Sequence, residues 1–72
     1  RALTHLKLGN LDAAIADYDA ALSAKPELDS ALYGRGLAKR KKGDTEGAER
    51  DIAAAKAINA GIADAFARYG VQ

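Results

Sequence analysis

Gly9-Asn10-Leu11-Asp12-Ala13-Ala14-Ile15-Ala16-Asp17-Tyr18-Asp19-Ala20-Ala21 returns later in the chain as Gly43-Asp44-Thr45-Glu46-Gly47-Ala48-Glu49-Arg50-Asp51-Ile52-Ala53-Ala54-Ala55. Glycine falls on glycine and Asn10 on Asp44, while Ala14, Asp17, Ala20 and Ala21 fall on Ala48, Asp51, Ala54 and Ala55. The same shift, Gly9 to Gly43, lays Ala31 on Ala65 and Gly36 on Gly70. Ten of the 38 overlaid positions are identical, where so alanine-rich a chain gives roughly four or five by chance. A fixed period of this length marks a stacked array of like units.

Outward from that stretch, the spacing predicts five helices. The first runs from Arg1 to about Leu8 and stops at Gly9, which suits the left-handed position after a helix. Asn10 caps the next, whose Leu11, Ala14, Ile15, Tyr18, Ala21 and Leu22 form one apolar stripe. Pro26 belongs to the first turn of a third helix, about Glu27 to Lys42, with Leu28, Ala31, Leu32 and Arg35 on one side. Gly43 and Asp44 repeat the turn and cap. A fourth helix, Thr45 to about Ile58, faces inward with Ala48, Ile52 and Ala55, and a last one runs from Ile62 to about Tyr69. No segment alternates with period two. The chain is all-α, and hairpins joined by such short turns lie antiparallel, each leaving a stripe that only the next hairpin covers.

Seventy-two residues make one small domain. There is no cysteine, which removes disulfides and thiolate metal sites and fits a reducing, cytoplasmic compartment. A net charge of +1 gives no overall field toward nucleic acid or a membrane. No apolar run approaches the ~20 residues of a bilayer span.

The chain resembles the tetratricopeptide repeat family, a pair of antiparallel helices with a period of about 34 residues. The first unit matches at Gly9, Ala14, Tyr18, Ala21 and Pro26, and the second at Leu32, Gly36, Gly43, Ala48, Ile52 and Ala55. Phe66, Tyr69 and Gly70 open a third. The resemblance implies a right-handed α-solenoid divided as 1–28 (partial first repeat), 29–62 (second repeat) and 63–72 (start of a third or a terminal capping helix). Arg35 stands at a usual leucine, Lys39 at a tyrosine and Ala60-Gly61 at the closing proline, which suggests looser packing around the second unit. With fewer than three complete units, the array calls for flanking repeats or self-association as a homo-oligomer.

No catalytic, cofactor or metal site is expected. His5 is the single histidine and lacks a partner set for a metal, so it reads as a half-buried packing residue. The basic run Lys39-Arg40-Lys41-Lys42 reads as a helix-end signal, and Asp17 and Asp19 as solvated charge. Gly36 allows close helix approach, whereas Gly34 has no reason legible in the sequence. The resemblance implies a non-enzymatic protein-binding module whose concave face carries Leu3, Leu6, Lys7, Ser30, Tyr33, Leu37, Arg40 and Lys41, with Asp64 from the third unit. Tyr33 and Leu37, four apart and off the packing stripe, read as an exposed apolar pair for a peptide with an apolar anchor and acidic flanks. The carboxylate clamp of some family members is disfavoured, since Tyr33, Gly34, Leu37 and Asp64 occupy its sites and only Arg68 fits. The other expectation is a structural segment that self-assembles through its exposed ends.

Overall fold

The computed structural model describes residues 2–68, with side chains from His5 onward. It contains α1 (Ala2–Leu8), α2 (Leu11–Ala24), α3 (Asp29–Lys42), α4 (Thr45–Ile58) and α5 (Ile62–Arg68), with no strand among the described residues. Gly9 and Gly43 adopt φ +83° and +97°, the left-handed region that side chains disfavour. At each turn two amides reach back into the preceding helix. Asn10 donates to the His5 carbonyl at 2.8 Å and Gly9 to Leu6 at 3.2 Å; Asp44 donates to Lys39 at 2.9 Å and Gly43 to Arg40 at 3.0 Å. This pairing closes the helix C-terminus and reverses the chain within a short turn.

The two helix starts differ although their backbones match. The Asp44 carboxylate accepts from the Gly47 amide at 3.0 Å, but Asn10 makes no side-chain cap bond, contrary to expectation. The Asp44 carboxylate closes over the start of α4, and a Cβ at Gly47 would lie 2.4 Å from its Oδ2. We therefore expect Asp44→Ala to cost about 1 kcal/mol and Asn10→Ala only a few tenths, compared by urea denaturation; equal losses would contradict the assignment.

α3 begins at Asp29 rather than Glu27, so Pro26 lies in the preceding turn and not in the helix. Leu28 is extended, packs against the core and closes that turn with its amide on the Lys25 carbonyl at 3.2 Å. Asn59 holds the turn between α4 and α5. Its side chain donates to Asp29 at 2.9 Å and accepts from Gly61 at 3.1 Å, tying the α4–α5 turn to the start of α3.

α3 is the central helix, with Ala31, Leu32, Tyr33, Gly34, Gly36, Leu37 and Ala38 all buried. α2 and α4 pack along it, while α1 and α5 also touch it. The expected inward residues Ala14, Tyr18, Leu22, Ala48 and Ala55 are buried, and Leu11, Ile15, Ala21 and Ile52 are half-buried. One apolar cluster runs from Leu6 in α1 to Phe66 in α5. The Cα radius of gyration is 10.6 Å, close to the ~11 Å of an ordinary folded domain of this size, so the hairpins close on one another.

Both glycines of α3 are contact points. A Cβ at Gly36 would meet Ile52 Cγ1 at 2.7 Å and the Ala48 carbonyl oxygen at 3.0 Å, so α3 and α4 touch backbone to side chain there. At Gly34 it would sit 2.2 Å from Tyr18 Cζ and 2.3 Å from its hydroxyl oxygen, because the hydroxyl end of the Tyr18 ring lies against α3 there. Gly34 thus has a reason that only its neighbour supplies.

Candidate functional site

The expected inner face divides into two groups. Lys7, Ser30, Arg40 and Lys41 are exposed or half-exposed, as are Asp64 and Arg68 on α5. Leu6, Tyr33 and Leu37 are not: they are 2%, 8% and 1% exposed. The expected exposed pair of Tyr33 and Leu37 is therefore corrected to core. Tyr33 stacks on Phe66, ring centroids 4.8 Å apart and planes 29° apart, so α5 supplies the cover. The side chain of Leu3 lies outside the described residues, as do Tyr69 and Gly70.

What sequence reasoning took for substitutions in a loose unit is a charged clasp. Arg35 Nε and Nη2 donate to Asp51 Oδ2 and Oδ1 at 2.8 and 2.9 Å, a two-pronged bond between α3 and α4. Arg35 Nη1 donates to Asp19 Oδ1 at 2.8 Å, which brings in α2. Lys39 Nζ lies 3.1 Å from Asp51 Oδ2. One guanidinium thus joins its own hairpin to the preceding one. Asp19 is a clasp residue and not idle solvated charge, and Arg35 and Lys39 tighten the second hairpin.

Asp51 is 8% exposed, a buried charge that would be costly alone. Burial pushes its carboxyl pKa up, but hydrogen bonds and charge from Arg35 and Lys39 outweigh that and hold it below the ordinary value. The bond to Asp51 raises the Arg35 pKa against the opposing effect of burial, with Asp19 adding to the rise. A signal for this site was present in the sequence. Asp51 lies three residues after Ala48 and four before Ala55, on the stripe that turns inward, and Asp17 recurs with it at the repeat period.

The clasp and its neighbours also decide which cations remain available. Lys39 is engaged on Asp51 and Lys42 pairs with Asp12 of α2. No described carboxylate lies within ion-pair reach of Lys7, Arg40 or Lys41. Lys7 and Lys41 are themselves one repeat period apart, so they recur at the same place on α1 and α3, which are in contact. His5 is half-buried, as expected, with Nε2 3.7 Å from Asp17 Oδ2. Among the described residues no three of His, Cys, Asp and Glu gather as a ligand set, and no helix is long and apolar enough to cross a membrane.

The hairpins, the repeat register and the small residues at their contacts agree with comparison to known proteins. A family model described as TPR repeat matches residues 2–43, more than half of the chain. No curated protein and no solved structure matches the chain. The matched span holds the Gly9 turn, the Ala14–Tyr18–Ala21 stripe and the Gly36 contact, and the second hairpin repeats the turn and the stripe's alanines at the family's period. The chain belongs to the TPR repeat family.

Proposed function

We propose that this chain is a protein-binding module that takes an acidic peptide or helix across the exposed ends of α1 and α3. TPR repeats generally serve protein–protein interaction without catalysis, which supports the class of function. The observation that carries the finer reading is the set Lys7, Arg40 and Lys41, solvent-facing and without described carboxylate partners while the neighbouring cations are engaged internally. Unpaired like charges on one face favour an oppositely charged partner and speed its capture. Ser30 adds a hydrogen-bonding group at the other end of α3. The apolar anchor drops out of the reading, because Tyr33 and Leu37 are already used in the core.

The test is fluorescence anisotropy with a labelled, glutamate-rich synthetic peptide. Wild type should bind at low salt and release as salt rises, since such charges are screened. The triple variant Lys7→Glu, Arg40→Glu, Lys41→Glu should bind about tenfold to a hundredfold more weakly, at roughly 0.5–1 kcal/mol per exposed charge. Undiminished affinity in a folded triple variant would sink this reading. A second reading, self-association, draws on Leu8 and Ile58, large apolar residues 71% and 50% exposed. Sedimentation across a concentration series discriminates, because only self-association shifts mass with concentration.

A further inference from the structure

Within the chain, α2 shows how a hairpin's second helix receives the hairpin that follows. Asp19 accepts from Arg35 at 2.8 Å, and Asp12 pairs with Lys42. The two carboxylates stand seven residues apart on α2, and the two cations stand seven apart on α3 in the opposite chain direction. Seven residues are close to two helical turns, so both rungs lie along one side of each helix. Arg35 also holds Asp51 of α4, which makes it the central cation of the joint. One repeat period on from Asp12, Ile15, Ala16 and Asp19 stand Glu46, Glu49, Arg50 and Ala53 of α4. All four are exposed, and together they line one shallow groove. α5 packs on α4 without covering them.

We propose that this groove on α4 receives the basic end of a second copy of the chain, whose Lys7, Arg40 and Lys41 face Glu46 and Glu49. Charge complementarity names the occupant. Among the described residues no cation lies within ion-pair reach of Glu46 or Glu49, and no carboxylate within reach of Lys7, Arg40 or Lys41. Each copy thus exposes both halves of an ionic contact that it does not satisfy internally. The groove differs from the matching side of α2 in one respect that decides its partner: Glu49 stands where Ile15 packs against the core. A glutamate there suits a charged, hydrated surface and opposes dry helix packing. Ala53, in the place of Asp19, leaves room beside the charges for Leu8, the 71% exposed neighbour of Lys7.

Arg50 stands among the glutamates and offsets part of the attraction, so the contact is weak and dissolves as salt rises. The proposal rests on the reading above for its cations. It makes α4 of one copy a competitor for any acidic partner of another.

Sedimentation equilibrium at low salt, with helicity checked by circular dichroism, tests the contact. Wild-type mass should rise with concentration and fall back when the glutamate-rich peptide is added. The double variant Glu46→Lys, Glu49→Lys should associate about fivefold to thirtyfold more weakly, the scale of two exposed charges, while still binding the peptide. Glu49→Lys alone, outside the first turn of α4, should show part of that loss. The triple variant Lys7→Glu, Arg40→Glu, Lys41→Glu should also fail to associate, and an equimolar mixture of the double and triple variants should recover it. A wild type that stays monomeric, a double variant that associates as wild type does, or a mixture that does not recover overturns the proposal. Peptide binding lost only in the triple variant then leaves the reading above standing, so the two failures are distinguishable.

Discussion

Replacing Asp51 by asparagine should destabilise the folded chain by about 2–3 kcal/mol near neutral pH. Breaking one side of a fully buried ion pair costs about 3–5 kcal/mol, and the side chains of Arg35 and Lys39, 22% and 26% exposed, let water recover part of that. The loss comes mainly from two cations left half-buried without their acceptor, and the Arg35–Asp19 contact survives on one prong only. For a domain of this size the melting midpoint should fall by about 10 °C or more.

The same substitution predicts a pH dependence with a definite sign. Asp51 is held below its ordinary pKa in the folded state, so its contribution is complete above the unfolded value of about 3.9 and is lost as pH falls further, through the folded value. Wild type and Asp51→Asn should therefore differ most at neutral pH and converge in acid below about pH 4. Paired denaturation curves at both conditions measure this. A gap that stays constant into strong acid would mean that the carboxylate charge is irrelevant to the clasp.

The second large effect concerns Tyr18 and Gly34, and it reverses sign with background. Tyr18→Ala should cost about 3–4 kcal/mol, the lost burial of a large ring plus the cavity behind it. Gly34→Ala alone should cost about 1–2 kcal/mol, because a gain of about 1 kcal/mol in helix propensity is outweighed by forcing a methyl against the ring. Tyr18 is 6% exposed, and its ring carbon Cζ would lie 2.2 Å from that methyl. In the Tyr18→Ala background, Gly34→Ala should instead stabilise by up to about 1 kcal/mol. A double-mutant cycle thus reads a coupling of about 2–3 kcal/mol; additive effects would mean that the ring does not rest on the glycine.

A milder variant separates the ring from its hydroxyl. Tyr18 Oη is buried without a hydrogen-bond partner, and burial pushes the phenol pKa up. Removing a buried, unpartnered hydroxyl is neutral or favourable, so Tyr18→Phe should keep full stability in the same assay. The repeat register agrees that ring and glycine belong together: the equivalents of Tyr18 and Gly34 are Ile52 and Arg68, and where the ring is absent the glycine is absent too.

Two errors of sequence reading share one physical cause. Tyr33 and Leu37 fall off the stripe that a two-helix hairpin buries, so they read as surface. Yet α3 is enclosed by all four other helices, and a helix so placed has almost no outer face. Arg35 and Lys39 read as misfits because each was compared with a leucine or a tyrosine at its own position. Their partner, Asp51, stands on the next helix, beyond the Gly43 turn, and charge complementarity over such a separation has no local periodic signature. The Asn10 cap bond is also absent although Asn10 and Asp44 share a repeat position.

Local chemistry and period were enough to establish the helices, the Gly9 and Gly43 turns, the antiparallel hairpins and the alanines at their contacts. Each of those depends on residues within one or two helical turns of one another, or on a repeat that the chain displays openly. Tertiary structure alone decided that α5 covers Tyr33, that Tyr18 requires Gly34, and that Arg35 is spent on Asp51 and Asp19 while Lys7, Arg40 and Lys41 face solvent. Those outcomes turn on which side chains meet across different helices, and such meetings are set by the packing of whole helices rather than by any neighbour along the chain.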